Sequence, residues 1–182
     1  MSVLVPVAHG SESLETVAIL NVLRRAEVAV TLASIESGLV VEGTRGIKLT
    51  ADVLFGAVAA QDFDMIVLPG GEKGAQALGA HKALVEKLRK QRMAHKWYAA
   101  ICASPALVLA PHELLDGKKA TCYPVFRDKL IHYVDQPVVV DGHCITSQGP
   151  ATAIAFALTL VERLRGKPSR DEVARQMLAQ QA

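Results

Sequence analysis

Cys102 stands where an apolar run gives way to small residues, in Trp97-Tyr98-Ala99-Ala100-Ile101-Cys102-Ala103-Ser104-Pro105-Ala106. A strand that ends in a tight turn, with a proline suited to the first turn of a helix, would present the thiol at the carboxyl end of a sheet. Free N–H groups and the positive helix end there would stabilise a thiolate and lower the cysteine pKa. The same residues also describe a buried, inert cysteine behind a core strand.

Two more segments bear on that choice. Leu68-Pro69-Gly70-Gly71 follows another strand-like run, and its unobstructed backbone N–H groups could donate to an oxyanion or bound carbonyl. Its plainer reading is a tight turn. Gly10-Ser11-Glu12-Ser13-Leu14-Glu15-Thr16 follows the first strand-like run and places Glu15 in the opening turn of a helix. A carboxyl buried against a cysteine would hold its proton to higher pH and could donate to a thiolate. A surface glutamate favoured near a helix N-terminus fits equally well. In a parallel sheet all three loops collect at one edge, where binding crevices form.

Other chemistry-bearing residues carry weaker patterns. His9, in the loop before Glu15, is a candidate for the pocket wall. His81, His95, His112 and His132 are isolated near helix ends or loops and read as surface residues. His143 beside Cys144 supplies two donors, which do not make a metal site, and no metal is expected. Cys122 and Cys144 read as strand residues facing the core.

The elements that must position these groups alternate along the chain. Strand-like runs are Val3–Val7, Val28–Ala33, Met65–Leu68, Trp97–Ile101, Lys119–Cys122, Val138–Val140 and His143–Thr146. Helical spacing marks Leu14–Ala26, with Leu14, Val17, Ala18 and Val22 as the stripe expected to pack on the sheet and Ile19, Leu20 and Leu23 widening it. Ser13 is the expected N-cap. Further helices are expected over His81–Ala94, from Ala103 to Leu109, from about Ala151 to Leu164, and over Asp171–Gln180. Ser37 to Lys48 reads as a hairpin-like excursion. Gly166 is a helix stop with Pro168 beyond it. Pro6 resists the pattern, since within a strand it removes a ladder hydrogen bond. The alternation predicts an α/β fold with a mostly parallel sheet covered by helices on both faces, in a single domain over residues 1–182.

Composition agrees with a globular chain. Of the 182 residues, 51% are hydrophobic and 21% charged, which excludes a disordered polyelectrolyte. The formal charge is only +2, and the cluster Lys87-Leu88-Arg89-Lys90-Gln91-Arg92 reads as a solvated helix face, so no nucleic-acid partner is expected. Met1-Ser2-Val3 leads straight into a strand-like run without a signal peptide. The longest uncharged stretch, Trp97 to Pro111, falls short of a membrane span. Three widely spaced cysteines form no disulfide framework, and a reducing cytoplasm is the expected compartment.

Taken together, Gly10 through Glu15-Thr16, Leu23-Arg24-Arg25-Ala26, Leu68-Pro69-Gly70-Gly71, Gly74-Ala75-Gln76, Ala100 through Pro105 and Thr146-Ser147-Gln148-Gly149-Pro150 resemble the ThiJ/PfpI superfamily, specifically its Parkinson-disease protein and YajL-like branch. The similarity runs from residue 3 to about residue 167 in consistent order. The resemblance implies a flavodoxin-like sandwich, usually homodimeric, with Cys102 as the reactive cysteine and Glu15 as its protonated partner. It also implies that the Gly71 and Ala103 N–H groups line an anion site, with Gly70 beside them. Arg45, in Glu42-Gly43-Thr44-Arg45, matches an arginine that reaches the neighbouring subunit's pocket.

One departure matters. Human-like members carry a histidine immediately before a proline near the cysteine, and here that place is Tyr123. Tyrosine is a poor general base at neutral pH, because its unperturbed pKa is about 10. Efficient base-assisted hydrolysis is therefore not expected. The function implied is that of a slow, cofactor-independent glyoxalase or deglycase acting on methylglyoxal-type aldehydes or their glycated adducts. The alternative is a redox-sensing protective protein or chaperone in which Cys102 is oxidised to sulfinate without significant turnover. The family's thiamine-linked naming finds no support in any residue here.

Overall fold

The strands form one seven-stranded sheet because their apolar residues alternate between two covered faces. The computed structural model describes residues 1–179. In chain order the elements are β1 (Ser2–Val7), α1 (Ser13–Arg25), β2 (Ala29–Ser34), β3 (Val40–Glu42), β4 (Lys48–Thr50), β5 (Val53–Leu54), α2 (Phe55–Val58), β6 (Met65–Leu68), α3 (Glu72–Ala80), α4 (Lys82–Met93), β7 (Trp97–Ile101), β8 (Val138–Asp141), β9 (Cys144–Ser147), α5 (Ala153–Arg165) and α6 (Lys167–Gln176). The sheet order is β5-β2-β1-β6-β7-β9-β8, parallel throughout except for the edge strand β8. Val3, Val5 and Val7 face α1, α5 and α6, while Leu4 faces the layer built from α2, α3 and α4. This is the mostly parallel sandwich expected from the alternation of strands and helices.

Several expectations shift in detail. The hairpin-like excursion is a separate two-stranded sheet, β3 with β4. Pro6 causes no conflict: the β1–β6 register covers Val3 and Leu4, and Pro6 lies beyond it. The neighbouring Val7 carbonyl turns to β2, accepting from Ile35, so by alternation residue 6 directs its missing N–H away from that partner. Lys119–Cys122 is not a strand; Ala120 makes a single bridge to Tyr133. Gly166 caps the end of α5 as expected, and Pro168 beyond it lies in the first turn of α6, where its missing N–H is tolerated. The last expected helix ends earlier, at Gln176, and Gln180 lies outside the described residues.

Helix α1 corrects two expectations. Its N-cap is Glu12, not Ser13, with the Glu12 carboxylate accepting from the Leu14 N–H at 3.2 Å. Its buried face carries Glu15, Ala18, Ile19, Val22 and Leu23, packed against β2 and α5, while Leu14 and Val17 are exposed. Among the described residues no helix is long and apolar enough to cross a membrane.

Candidate functional site

Strands β1, β6 and β7 lie side by side, and the loops at their carboxyl ends carry Glu15, Gly70-Gly71 and Cys102. The chain passes from β1 to β2 on one side and later returns to β6 on the other. The β1 and β6 loops therefore part at a topological switch point, where open α/β sheets form crevices.

Glu15 is fully buried, and its Oε2 accepts the Gly70 N–H at 2.8 Å. Its other oxygen, Oε1, is buried without a hydrogen-bond partner. Gly70 must be glycine: a Cβ there would fall 2.4 Å from Cys102 Cβ and 2.7 Å from Glu15 Oε2. Gly71 has φ +82°, and its Cβ would sit 2.2 Å from the Gly10 carbonyl oxygen. The β1 and β6 loops are tied by the Glu12 N–H, which donates to the Gly70 carbonyl at 2.9 Å.

Cys102 adopts φ 64°, a left-handed conformation that costs a non-glycine residue about 1–3 kcal/mol. Two backbone bonds hold it: its N–H donates to the Ser147 carbonyl at 2.9 Å, and its carbonyl accepts the Tyr123 N–H at 2.8 Å. The sulfur receives the N–H groups of Gly71 and Ala103. A partly exposed thiol on a sharp turn, two aimed donors and a buried carboxyl thus meet in one place.

The pattern of the DJ-1/PfpI family matches residues 1–163. The chain belongs to the DJ-1/PfpI family. It is 49% identical over 167 residues to Protein DJ-1 homolog A of Arabidopsis thaliana, covering 91% of this chain but 43% of that one. The chain thus spans less than half the length of that relative, and 38% of the length of the Arabidopsis DJ-1 homolog B. A Caenorhabditis elegans protein named glutathione-independent glyoxalase DJR-1.2 is 33% identical over 162 residues, 87% of this chain and 85% of that one. The solved structure of oxidized Toxoplasma gondii DJ-1 superposes with a TM-score of 0.96 at 43% identity, covering 97% of each chain.

Within this DJ-1/PfpI site Glu15 and Cys102 titrate as neighbours. Burial raises the Glu15 pKa from its ordinary 4.5 to about 7, against the opposing Gly70 N–H and the hydrogen bond with Cys102. Cys102 departs from expectation. Burial and the Glu15 charge push its thiol up to about 12, overriding the Gly71 and Ala103 N–H groups. Groups this strongly coupled lose their protons as a pair. The pair gives up its first proton as pH rises through about 7, and the second leaves only well above neutrality.

The remaining sequence candidates are arranged around this centre. Tyr123 is bound to Cys102 through its backbone, while its half-exposed ring lies over Gly149, 3.4 Å from where a Cβ would stand. His9 and Arg45 line an adjoining open groove with Gly10, Thr44, Glu72 and Lys73, rather than contacting Cys102. His9 Nδ1 accepts the Glu42 N–H at 3.0 Å, fastening the β3–β4 hairpin to the end of β1. Cys122 and Cys144 are buried and far less accessible than Cys102. Among the described residues no group of three or more His, Cys, Asp or Glu side chains could hold a metal ion.

Sequence reasoning missed Ser104. It is fully buried, and its hydroxyl donates to the Pro69 carbonyl, 35 residues back along the chain. A serine in a turn of small residues carries no signal of that reach.

Proposed function

We propose that this chain is a cysteine-dependent carbonyl-stress protein, a slow glyoxalase or deglycase that acts without a cofactor on methylglyoxal-type aldehydes or their adducts. The observation that carries this reading is the buried Glu15 carboxyl, which holds its proton to about pH 7 beside the Cys102 thiol. A group with a pKa near the working pH can serve as acid and then as base.

The Cys102 sulfur attacks the aldehyde carbon of methylglyoxal, and Glu15 protonates the resulting oxyanion to give a hemithioacetal. Glu15, now ionised, removes the hydrogen on that carbon as a proton. Protonation of the neighbouring carbon then yields a thioester of lactate. Water cleaves the thioester, releasing lactate and the free thiol. The sum is methylglyoxal plus water to lactate, with no external oxidant or reductant. The Gly71 and Ala103 N–H groups favour negative charge at the sulfur, and Tyr123 offers little base assistance in the last step, consistent with slow turnover. The name of the Caenorhabditis elegans relative supports the same reaction class.

The same donors would hold a sulfinate, and this favours the second reading, a redox-sensing protective protein. One experiment separates the two. Lactate is measured from methylglyoxal with wild type, Cys102→Ser and peroxide-treated wild type, with the Cys102 oxidation state read by mass spectrometry. Wild type should form lactate, Cys102→Ser none, and turnover should fall in proportion to sulfinate. Lactate from Cys102→Ser defeats the nucleophile assignment. Clean oxidation without any turnover puts the sensor first.

A homodimer completes the proposal. Leu14 and Val17 are about half exposed on α1, beside Arg24 and Arg25, and such apolar faces mark association surfaces. Arg45 would then reach the partner's pocket. Light scattering at micromolar concentration should return twice the chain mass, and a monomer there removes Arg45 from the site.

A further inference from the structure

We infer that Ser104 is a positioning residue that sets the spacing of the two N–H donors aimed at the Cys102 sulfur. The Gly71 donor belongs to the β6 loop and the Ala103 donor to the β7 loop. Nearly every other polar backbone group of the β6 loop is engaged elsewhere. The Gly70 N–H goes to Glu15, the Gly70 carbonyl accepts from Glu12, and the Gly71 carbonyl accepts from Ala75. The Pro69 carbonyl remains, and the Ser104 hydroxyl is its partner. That bond joins residues flanking the two donors: Pro69 lies two positions before Gly71, and Ser104 directly follows Ala103.

Without the hydroxyl, the Pro69 carbonyl is left buried and unpaired, and the two loops lose their direct side-chain tie. A donor pair stabilises an anion only while both members point at it, so a small divergence weakens the cradle. Proline at position 69 has no N–H of its own to offer. The tie therefore rests on one hydroxyl.

This inference rests on Cys102 being the anion-bearing residue of the proposed function, and the test keeps the two apart. The rate of Cys102 alkylation by iodoacetamide is followed against pH in wild type, Ser104→Ala, Ser104→Thr and Tyr98→Phe. Tyr98→Phe is the matched control, because it also removes a buried hydroxyl bonded to a carbonyl, that of Leu114 at 2.8 Å, from the middle of β7. Ser104→Ala should slow Cys102 alkylation at neutral pH on the order of ten-fold and move its pH profile upward. Ser104→Thr, which keeps the hydroxyl, should recover most of the rate. Tyr98→Phe should lower thermal stability and leave the profile in place.

If Ser104→Ala does not fold, Ser104→Gly leaves room for a water on the Pro69 carbonyl without restoring the tie, and should show the same slowing. An unchanged profile in the folded Ser104 variants, or an equal change in Tyr98→Phe, overturns the inference while leaving Cys102 in place. A wild type in which Cys102 reacts no faster than Cys122 or Cys144 overturns the proposed site itself.

Discussion

Cys102 and Cys144 end up with similar proton affinities in opposite surroundings. Burial pushes each thiol up to about 12. Cys144 lies within β9, almost fully enclosed, on the face packed by Tyr98, Leu84 and Leu88. Burial outweighs the opposing Lys118 charge and the hydrogen bond with Tyr98, and no N–H-lined turn opens the thiol to solvent. Cys102 lies just past the end of β7, partly exposed, in a strained conformation with two N–H donors and a buried carboxyl. There the thiol stands beside a second titrating group, Glu15, with which its proton loss is coupled. The raised pKa of a cysteine thus says little about reactivity until its neighbours are counted.

The largest expected contrast is in labelling. At neutral pH, limited iodoacetamide followed by peptide mass spectrometry should modify Cys102 roughly 100-fold faster than Cys144, which must wait for local opening. Comparable rates would erase the distinction between the two regions.

Glu15 sharpens the comparison through stability. Its pKa is raised on folding, so the folded state binds more protons than the unfolded state between pH 4.5 and about 7. Stability from this group is fully present below pH 4.5 and is lost as pH rises through about 7, a swing of roughly 3 kcal/mol. Thermal melts of Glu15→Gln should lack that decline, since glutamine does not titrate. The Gln variant should also retain the Gly70 contact while losing proton transfer, so lactate formation should fall well beyond any change in melting temperature. An unaltered pH dependence would return Glu15 to the role of a helix residue with no part in the site.

The sequence by itself carried the central strands, the helix after β1 and the turns that follow β1, β6 and β7, but not the status of Lys119–Cys122. Val3–Val7, Met65–Leu68 and Trp97–Ile101 are short apolar runs bounded by Gly, Pro or small residues, and such local signals survive folding unchanged. Their order also predicted that Glu15, Gly70-Gly71 and Cys102 would share one sheet edge, because parallel strands place their following loops together. The tertiary structure alone decided which stripe of α1 is buried. Leu14 and Val17 share the helical spacing of Ala18 and Val22, and only the position of the sheet and α5 selects the latter pair. It likewise decided that Cys102 binds its proton more tightly than its helix-end setting predicts, because desolvation is a property of the assembled surroundings. The Ser104 contact belongs to the same class. A hydroxyl reaching a carbonyl 35 residues away leaves no local pattern, since the two loops meet only when β6 and β7 pair.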